Sequence, residues 1–397
     1  LFKIIDQHHL NAVSVESFVF IGILITGIFR DTPIFQIPAA ASGLLFFSFF
    51  IMFTGAFSYW LRGWAISGIM ILILGLNFLV KQNIITSTNQ AYGINYKTSN
   101  AIYSQERVNA LSSNDKIQED RLHTLKILNK WRANFPENKP PKIVMTCSSG
   151  GGQRSAAWTF HTLQHINSIS NNALMKHTAL FTGASGGLIG ASYFRELYLQ
   201  SRLNADFKLY DKRYYNNITK DILNPIVFSM VVSDLFLRFQ TFDIGEYTYY
   251  RDRGYSFEQK LSINTENLLN RKLKEYRELE KEAIIPMLII APTIINDARK
   301  LYISPQPISY MNVYNPGETN LYAERTKGIE FARFFKEQDA ENLTFLSALR
   351  MSATFPYITP NAILPSQPKM EIMDAGLTDN FGMKDALHFM FTFKDWI

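Results

Sequence analysis

The sequence predicts an α/β fold with a central, mostly parallel sheet covered by helices on both faces, preceded by an N-terminal bundle of transmembrane helices. Three observations carry this expectation. Apolar residues make up 47% of the 397 residues, yet the mean hydropathy is close to zero, so they must be concentrated, and they crowd into the first 82 residues. Between Lys142 and Gln200 the order reads strand, loop, helix, strand, turn, helix, which sterically favours parallel strands with helices packed on them. Glycines gather at both strand-to-helix junctions, Ser148–Gly152 and Gly183–Gly187.

At the N-terminus, Ala12 to Phe29 is apolar except for Ser14, Glu16, Ser17 and Thr26, close to the roughly 20 residues a span requires. Residues 37 to 61 form a clearer span between Pro38 and the interface anchors Tyr59, Trp60 and Arg62. A third run, Gly63 to Val80, ends at Lys81. Three such runs in series exclude a signal peptide or buried core helices and predict a multi-pass integral membrane protein. If all three cross, Lys3 and Arg62 fall on one side, while Arg30, Lys81 and Lys97 fall on the other with the rest of the chain. That slight cationic excess points to a cytoplasmic main domain. The chain divides into transmembrane helices over 1–82, a polar linker with an amphipathic helix over 83–141, and an α/β domain over 142–397. It begins with Leu1 and stops at Trp396-Ile397 within what reads as a helix, so it reads as a fragment truncated at its C-terminus.

In the linker, Leu122, Leu125, Leu128 and Trp131 recur at three-residue steps and predict an amphipathic helix that the prolines before Lys142 end. Lys142 to Cys147 reads as a buried strand, Arg154 to Asn167 as a helix, Thr178 to Gly183 as a second strand and Gly186 to Gln200 as a central buried helix. Ile226 to Phe239 is strongly apolar and reads as a core helix, or else as a lid facing the membrane. Asn267 to Glu282, with Arg271/Glu275 and Lys274/Glu278 four apart, predicts a solvated helix, and Ile284 to Ile295 a buried strand. The formal charge of +6 without a dense basic run argues against nucleic-acid binding and suits mild attraction to anionic headgroups. Cys147 is the single cysteine, which excludes an intrachain disulfide, and it reads as an inert buried thiol. The sequence shows no calcium or zinc ligand pattern, implies no cofactor, and leaves the oligomeric state open.

The chemistry is placed at Gly183-Ala184-Ser185-Gly186-Gly187. Between a strand and a helix, Gly-x-Ser-x-Gly forms a strained turn that lifts the serine hydroxyl toward a helix N-terminus, where the dipole favours developing negative charge. A plain glycine-rich connection reads the same way locally. A serine becomes a nucleophile when a base and an anion site stand beside it. Gly150, Gly151 and Gly152 end the neighbouring strand and allow backbone N–H groups to point at an oxyanion. No lysine occupies the place a phosphate-binding loop requires. Of the histidines, His388 alone follows the Ser-Asp-His order of α/β-hydrolases, and it falls within a helix. Asp374, after the short strand Glu371-Ile372-Met373, is the better-placed base, with a turn or helix-capping role as the alternative.

Together, Gly150-Gly151-Gly152-Gln153-Arg154, Gly183-Ala184-Ser185-Gly186-Gly187 and Asp374-Ala375-Gly376 resemble the glycine-rich oxyanion loop, nucleophile elbow and Asp-Gly-Gly/Ala block of the patatin-like phospholipase family. Ser352-Ala353-Thr354-Phe355-Pro356 is similar to the family's Ala/Ser-rich segment. The resemblance covers Lys142 to Lys384, with Ser155 and Ala375 standing where the family commonly has glycine. It implies a three-layer α/β/α sandwich and a Ser185–Asp374 dyad without histidine, hydrolysing carboxylic esters of membrane lipids through an acyl-enzyme. Backbone N–H groups of Gly150, Gly151, Gly152 and Gly186 would hold the oxyanion, apolar surroundings would raise the pKa of Asp374, and Arg154 would orient a substrate phosphate or cap the loop. The alternative is a catalytically inactive membrane scaffold or lipid-binding protein of the same fold.

Overall fold

The computed structural model describes residues 7–29, 32, 34, 37–82, 88–234, 238, 240–313, 326–355 and 357–397. They divide into two units: Leu1–Asn89 with Asp221–Phe242 and Thr248–Phe257, and Gln90–Lys220 with Asp243–Tyr247 and Glu258–Ile397. This division departs from the three segments read along the chain. Residues 90–141, read as the end of a linker, fall in the second unit and carry buried groups: Ala91, Tyr92 and Ile94 are buried, and the Tyr92 N–H donates to Ser347 Oγ at 2.8 Å.

In the first unit, α1 (Gln7–Ile28), α2 (Ala39–Leu61) and α3 (Ala65–Lys81) follow in series. A 3₁₀ turn at Arg62–Trp64, entered through Arg62 at φ 47°, separates the last two. Among the described residues one helical run, Ala39–Leu79, is long and apolar enough to cross a membrane, and Val13–Ile28 is a shorter apolar helix. Lys3 and Arg30, used to read sidedness, lie outside the described residues. Phe18, Leu44, Phe47, Ile66 and Ile71 of these helices are exposed.

The apolar stretch from Ile226 forms the helix Leu223–Ser229 and a π turn, Met230–Asp234, while residues 235–237 and 239 lie outside the described ones. Phe228, Val231 and Val232 bury against Ile23, Val19, Phe46 and Phe49. The segment therefore satisfies its apolar surface on α1 and α2, within the first unit.

The second unit begins its core with α4 (Asn114–Ala133), which buries Ile117, Thr124, Ile127, Leu128 and Trp131. That 3.6-residue stripe leaves Leu122 exposed, shifting the seam from the three-residue steps. Strands β1 (Val144–Ser148), β2 (Thr178–Gly183) and β3 (Met287–Leu288) pair in that order, all parallel. Helices α5 (Gly152–Ile169) and α6 (Ser185–Leu203) follow β1 and β2. Cys147 on β1, expected to be buried, is exposed.

The strand expected over Ile284 to Ile295 is broken into β3 and β4 (Thr293–Ile294), with Pro292 between them. Ile290 bridges Ile303 through N–H···O bonds of 2.9 and 2.8 Å. From there a second sheet continues with β5 (Lys300–Tyr302), β6 (Gly328–Glu330), β7 (Ala362–Leu364) and β8 (Met370–Met373), in the order β7-β8-β4-β5-β6. Its β7/β8, β8/β4 and β4/β5 pairs are antiparallel, and β5/β6 is parallel. The mostly parallel expectation thus holds for the serine half alone. The short connection from β7 to β8 reverses the chain, and a parallel pair would need a long crossover.

Helix α7 (Phe345–Met351) is buried throughout, and α8 (Met383–Thr392) ends the unit. Ile127, Leu128 and Trp131 of α4 share one apolar cluster with Leu180, Tyr310, Phe389 and Phe393. Helices α5 and α6 pack on each other, with Phe160 stacked on Tyr193 at 5.2 Å. The charged stretch Asn267 to Glu282 is not one solvated helix. It is a 3₁₀ turn, Leu273–Tyr276, followed by the short helix Arg277–Lys281, and both Tyr276 and Glu280 are buried. Glu280 pairs with Arg195 of α6 at 2.5 Å and accepts from the Leu288 N–H at 3.0 Å. Burial pushes its carboxyl up to about 7.

Candidate active site

At the end of β2 the Ala184 N–H donates to the Ser148 carbonyl at 3.0 Å, which ties the turn to β1. Ser185 then takes φ 51°, in the left-handed region, and its half-buried side chain stands at the first residue of α6. Such a backbone is held only where surrounding bonds over-determine it. Here the Ser185 N–H donates to the Ser352 carbonyl at 3.0 Å.

The same Ser352 carbonyl accepts from the Ala375 N–H at 3.4 Å, so one backbone oxygen ties the serine turn to the residue after Asp374. β8 brings Asp374 there by running antiparallel along β4, with Met373 opposite Thr293. The Thr293 hydroxyl donates to the Asp374 carbonyl oxygen at 3.1 Å. Asp374 Oδ1 accepts from the Gly376 N–H at 2.7 Å. Burial raises the Asp374 carboxyl above the ordinary aspartate range, while the hydrogen bonds from Gly376 and from the nearby Ser185 hydroxyl act in the opposite sense.

The glycine loop faces this pair. An atom at a Cβ position on Gly150 would lie 3.4 Å from Ser185 Cβ. Gly151 and Gly152 start α5 at φ 144° and 62°, and their N–H groups belong to the first turn, where no intrahelical acceptor exists. Gly186 occupies the equivalent first turn of α6. Gly150 behaves differently, since its N–H donates to the Asn380 carbonyl at 2.8 Å and so turns away from a reacting oxygen.

Residues 146–387 match the model of the patatin-like phospholipase family. The chain belongs to this family. A comparison with curated proteins gave no match. The family is one of lipid acyl hydrolases, and the α/β catalytic unit with its parallel serine sheet fits it.

In this patatin-like unit Ser185, Asp374 and the three glycines are neighbours, whereas Arg154 is exposed and has no hydrogen-bond or ion-pair partner among the described residues. That geometry removes a capping role for Arg154. Ser155 does the capping instead, its hydroxyl donating to the Ser149 carbonyl. His388 is buried in α8 with its Nδ1 against Lys327 Nζ, and burial together with Lys327 and Lys300 pushes its imidazole down to about 3. Reading the sequence missed Ser352 and Asn380 as positioning residues, because both act through backbone oxygens that leave no side-chain signature. It also missed the apolar residues near the site: Phe355, Tyr357, Leu377, Phe381 and Met383 are all exposed, each within five residues of Ser352, Asp374 or Asn380. Among the described residues, no group of three or more His, Cys, Asp or Glu side chains is placed to hold a metal ion.

Proposed function

We propose that this protein is a serine lipid acyl hydrolase held at a bilayer by its N-terminal helices as a multi-pass anchor, with its catalytic unit on the cytoplasmic side. The observation that supports the reading most is the Ser352 carbonyl, which accepts from both the Ser185 and Ala375 N–H groups. Asp374 takes the proton as Ser185 Oγ attacks the ester carbonyl. The N–H groups of Gly151, Gly152 and Gly186 hold the oxyanion, Gly150 having its own acceptor. The lipid alcohol leaves with the proton from Asp374, and water, deprotonated by the same carboxylate, then releases the fatty acid and regenerates Ser185. His388 has no part in this scheme, since it is buried against Lys327.

A membrane-impermeant fluorophosphonate tests both chemistry and sidedness. It is expected to label permeabilised cells at Ser185, to leave intact cells unlabelled, and to lose its signal in Ser185→Ala. An unlabelled wild type under lipid-containing conditions would favour the inactive scaffold, and labelling of intact cells would place the unit outside.

The exposed apolar side chains beside the site support catalysis at a lipid surface. Phe355→Ser with Leu377→Glu is expected to lower kcat/KM on phospholipid vesicles by at least about tenfold, a loss of about 1.4 kcal/mol of transition-state binding, and to spare a short soluble ester. Equal losses on both substrates would remove the surface role. With phospholipid and neutral glyceride substrates compared side by side, Arg154→Gln is expected to raise KM for the phosphate-bearing esters and not for the neutral glycerides; an equal effect on both would refute its contact with phosphate.

A further inference from the structure

A cavity of about 880 Å³ opens at the far end of the strand and helix that carry Ser185. Thr178, the first residue of β2, and the last turns of α6 line it. At about 1.5 Å per residue along α6, Arg202 lies roughly 26 Å from Ser185, so this is a second cavity and not an extension of the active site. Its volume falls within the range of small-molecule sites, about 300–1,000 Å³.

The lining has two characters. Lys176, Arg202 and Lys208 bring three cations from three separate chain segments, against one carboxylate, Asp211. Asp211 is already engaged, accepting from the Arg213 N–H at 2.9 Å with the Arg213 guanidinium at 3.8 Å. The side chains of Arg202 and Lys208 are exposed and have no ion-pair or hydrogen-bond partner among the described residues. The rest of the lining is mixed: Trp131, Leu209 and Ile285 form a buried apolar strip, flanked by the polar Asn134, Asn171 and Ser201. Lys176 already lies over the Phe135 ring at 5.1 Å, which leaves Arg202 and Lys208 as the unpaired cations, and together with the apolar strip they complement a molecule with an anionic head and a hydrocarbon body. An inorganic anion would leave the strip unused, and a neutral lipid would leave the cations unpaired.

We propose that this cavity binds a long-chain fatty carboxylate, with the carboxylate between Arg202 and Lys208 and the chain on Trp131, Leu209 and Ile285. The choice of a carboxylate rests on the lipid-hydrolase reading, because that is the acid the reaction releases. A site for it on α6, whose first residue is the nucleophile, gives the product a second place of contact with the enzyme.

The test uses the full chain as Ser185→Ala in lipid nanodiscs, so that turnover plays no part, and a diazirine-bearing long-chain carboxylate mapped by peptide mass spectrometry. Cross-links are expected on the peptides around Met175 and Leu209, competed by unlabelled fatty carboxylate and reduced at least about tenfold by Arg202→Glu with Lys208→Glu. Both side chains are exposed, so these changes leave the core intact, and an unchanged circular-dichroism melt verifies it. Three outcomes overturn the proposal: cross-links confined to the N-terminal helices and the Ser185 region, equal labelling by the methyl ester of the probe, or undiminished labelling in the double variant. Fluorophosphonate reactivity of the wild type is read separately. A protein unreactive at Ser185 that still cross-links at the cavity would refute the hydrolase and keep the site.

Discussion

Replacing Asp374 by asparagine is expected to lower kcat by about 10²–10⁴-fold, the usual worth of a positioned general base, with KM little changed. The substitution is nearly isosteric, and asparagine keeps an oxygen for the Gly376 N–H that Asp374 Oδ1 accepts at 2.7 Å. What is lost, under the proposed scheme, is the negative charge that draws the Ser185 proton. The pH dependence carries a second signature. Burial is the largest influence on Asp374 and raises its folded pKa above the ordinary value near 3.9. The base works ionised, so the acid limb of kcat/KM should lie above that value in the wild type. The same shift affects stability in the opposite sense from a salt-bridged aspartate. With the folded pKa above the unfolded one, the native state holds the extra proton, and this contribution is fully present below the unfolded pKa and lost as pH rises through the folded pKa. The asparagine side chain cannot ionise, so Asp374→Asn should melt higher than wild type at neutral pH and alike near pH 3. Urea melts at the two pH values, read with kcat, check both. A variant that loses activity and also loses stability at neutral pH would mean that Asp374 serves the fold instead of the base.

How much of this was legible beforehand depends on the range of the interactions. β2 was read as Thr178 to Gly183 and is found over those residues, because an apolar run ended by glycine is a local signal. The strand before Asp374 was legible for the same reason, but its antiparallel partner β4 was not. That register depends on residues about 80 positions away, where no periodicity reports the pairing. Glu280 was read as part of a solvated face because its neighbours are charged, and its burial becomes visible only once Arg195 and the Leu288 N–H are known to meet it. The apolar stretch from Ile226 was recognised as apolar without its address, since hydropathy does not say whether the covering surface is the catalytic core or α1 and α2. Ser352 stood out only as part of a resemblance, and its carbonyl between Ser185 and Ala375 is a purely tertiary fact.

Gly186 and Gly190 separate catalysis from packing on a single helix, and substituting each by alanine should have different consequences. A Cβ at Gly186 would lie 1.9 Å from the Gly152 carbonyl oxygen, and one at Gly190 would lie 2.2 Å from the Ala156 carbonyl oxygen. Both collisions are with backbone, which yields only if α5 and α6 move apart, and overpacking of this kind typically costs about 1–3 kcal/mol. At Gly190 the damage is confined to the crossing, so Gly190→Ala should show that loss in urea unfolding while the folded fraction keeps most of its kcat. At Gly186 the displaced atoms are those of Gly152, whose N–H is a proposed oxyanion donor, and Gly186 itself supplies another. Gly186→Ala should therefore lose about 10²–10³-fold in kcat per misplaced donor, in addition to a similar loss of stability. Fluorophosphonate labelling rates on folded protein, with stability measured in parallel, distinguish the two. If Gly190→Ala slowed labelling as much as Gly186→Ala, the oxyanion site would have to be a property of the whole α5/α6 crossing, and the individual amides would lose their assigned roles.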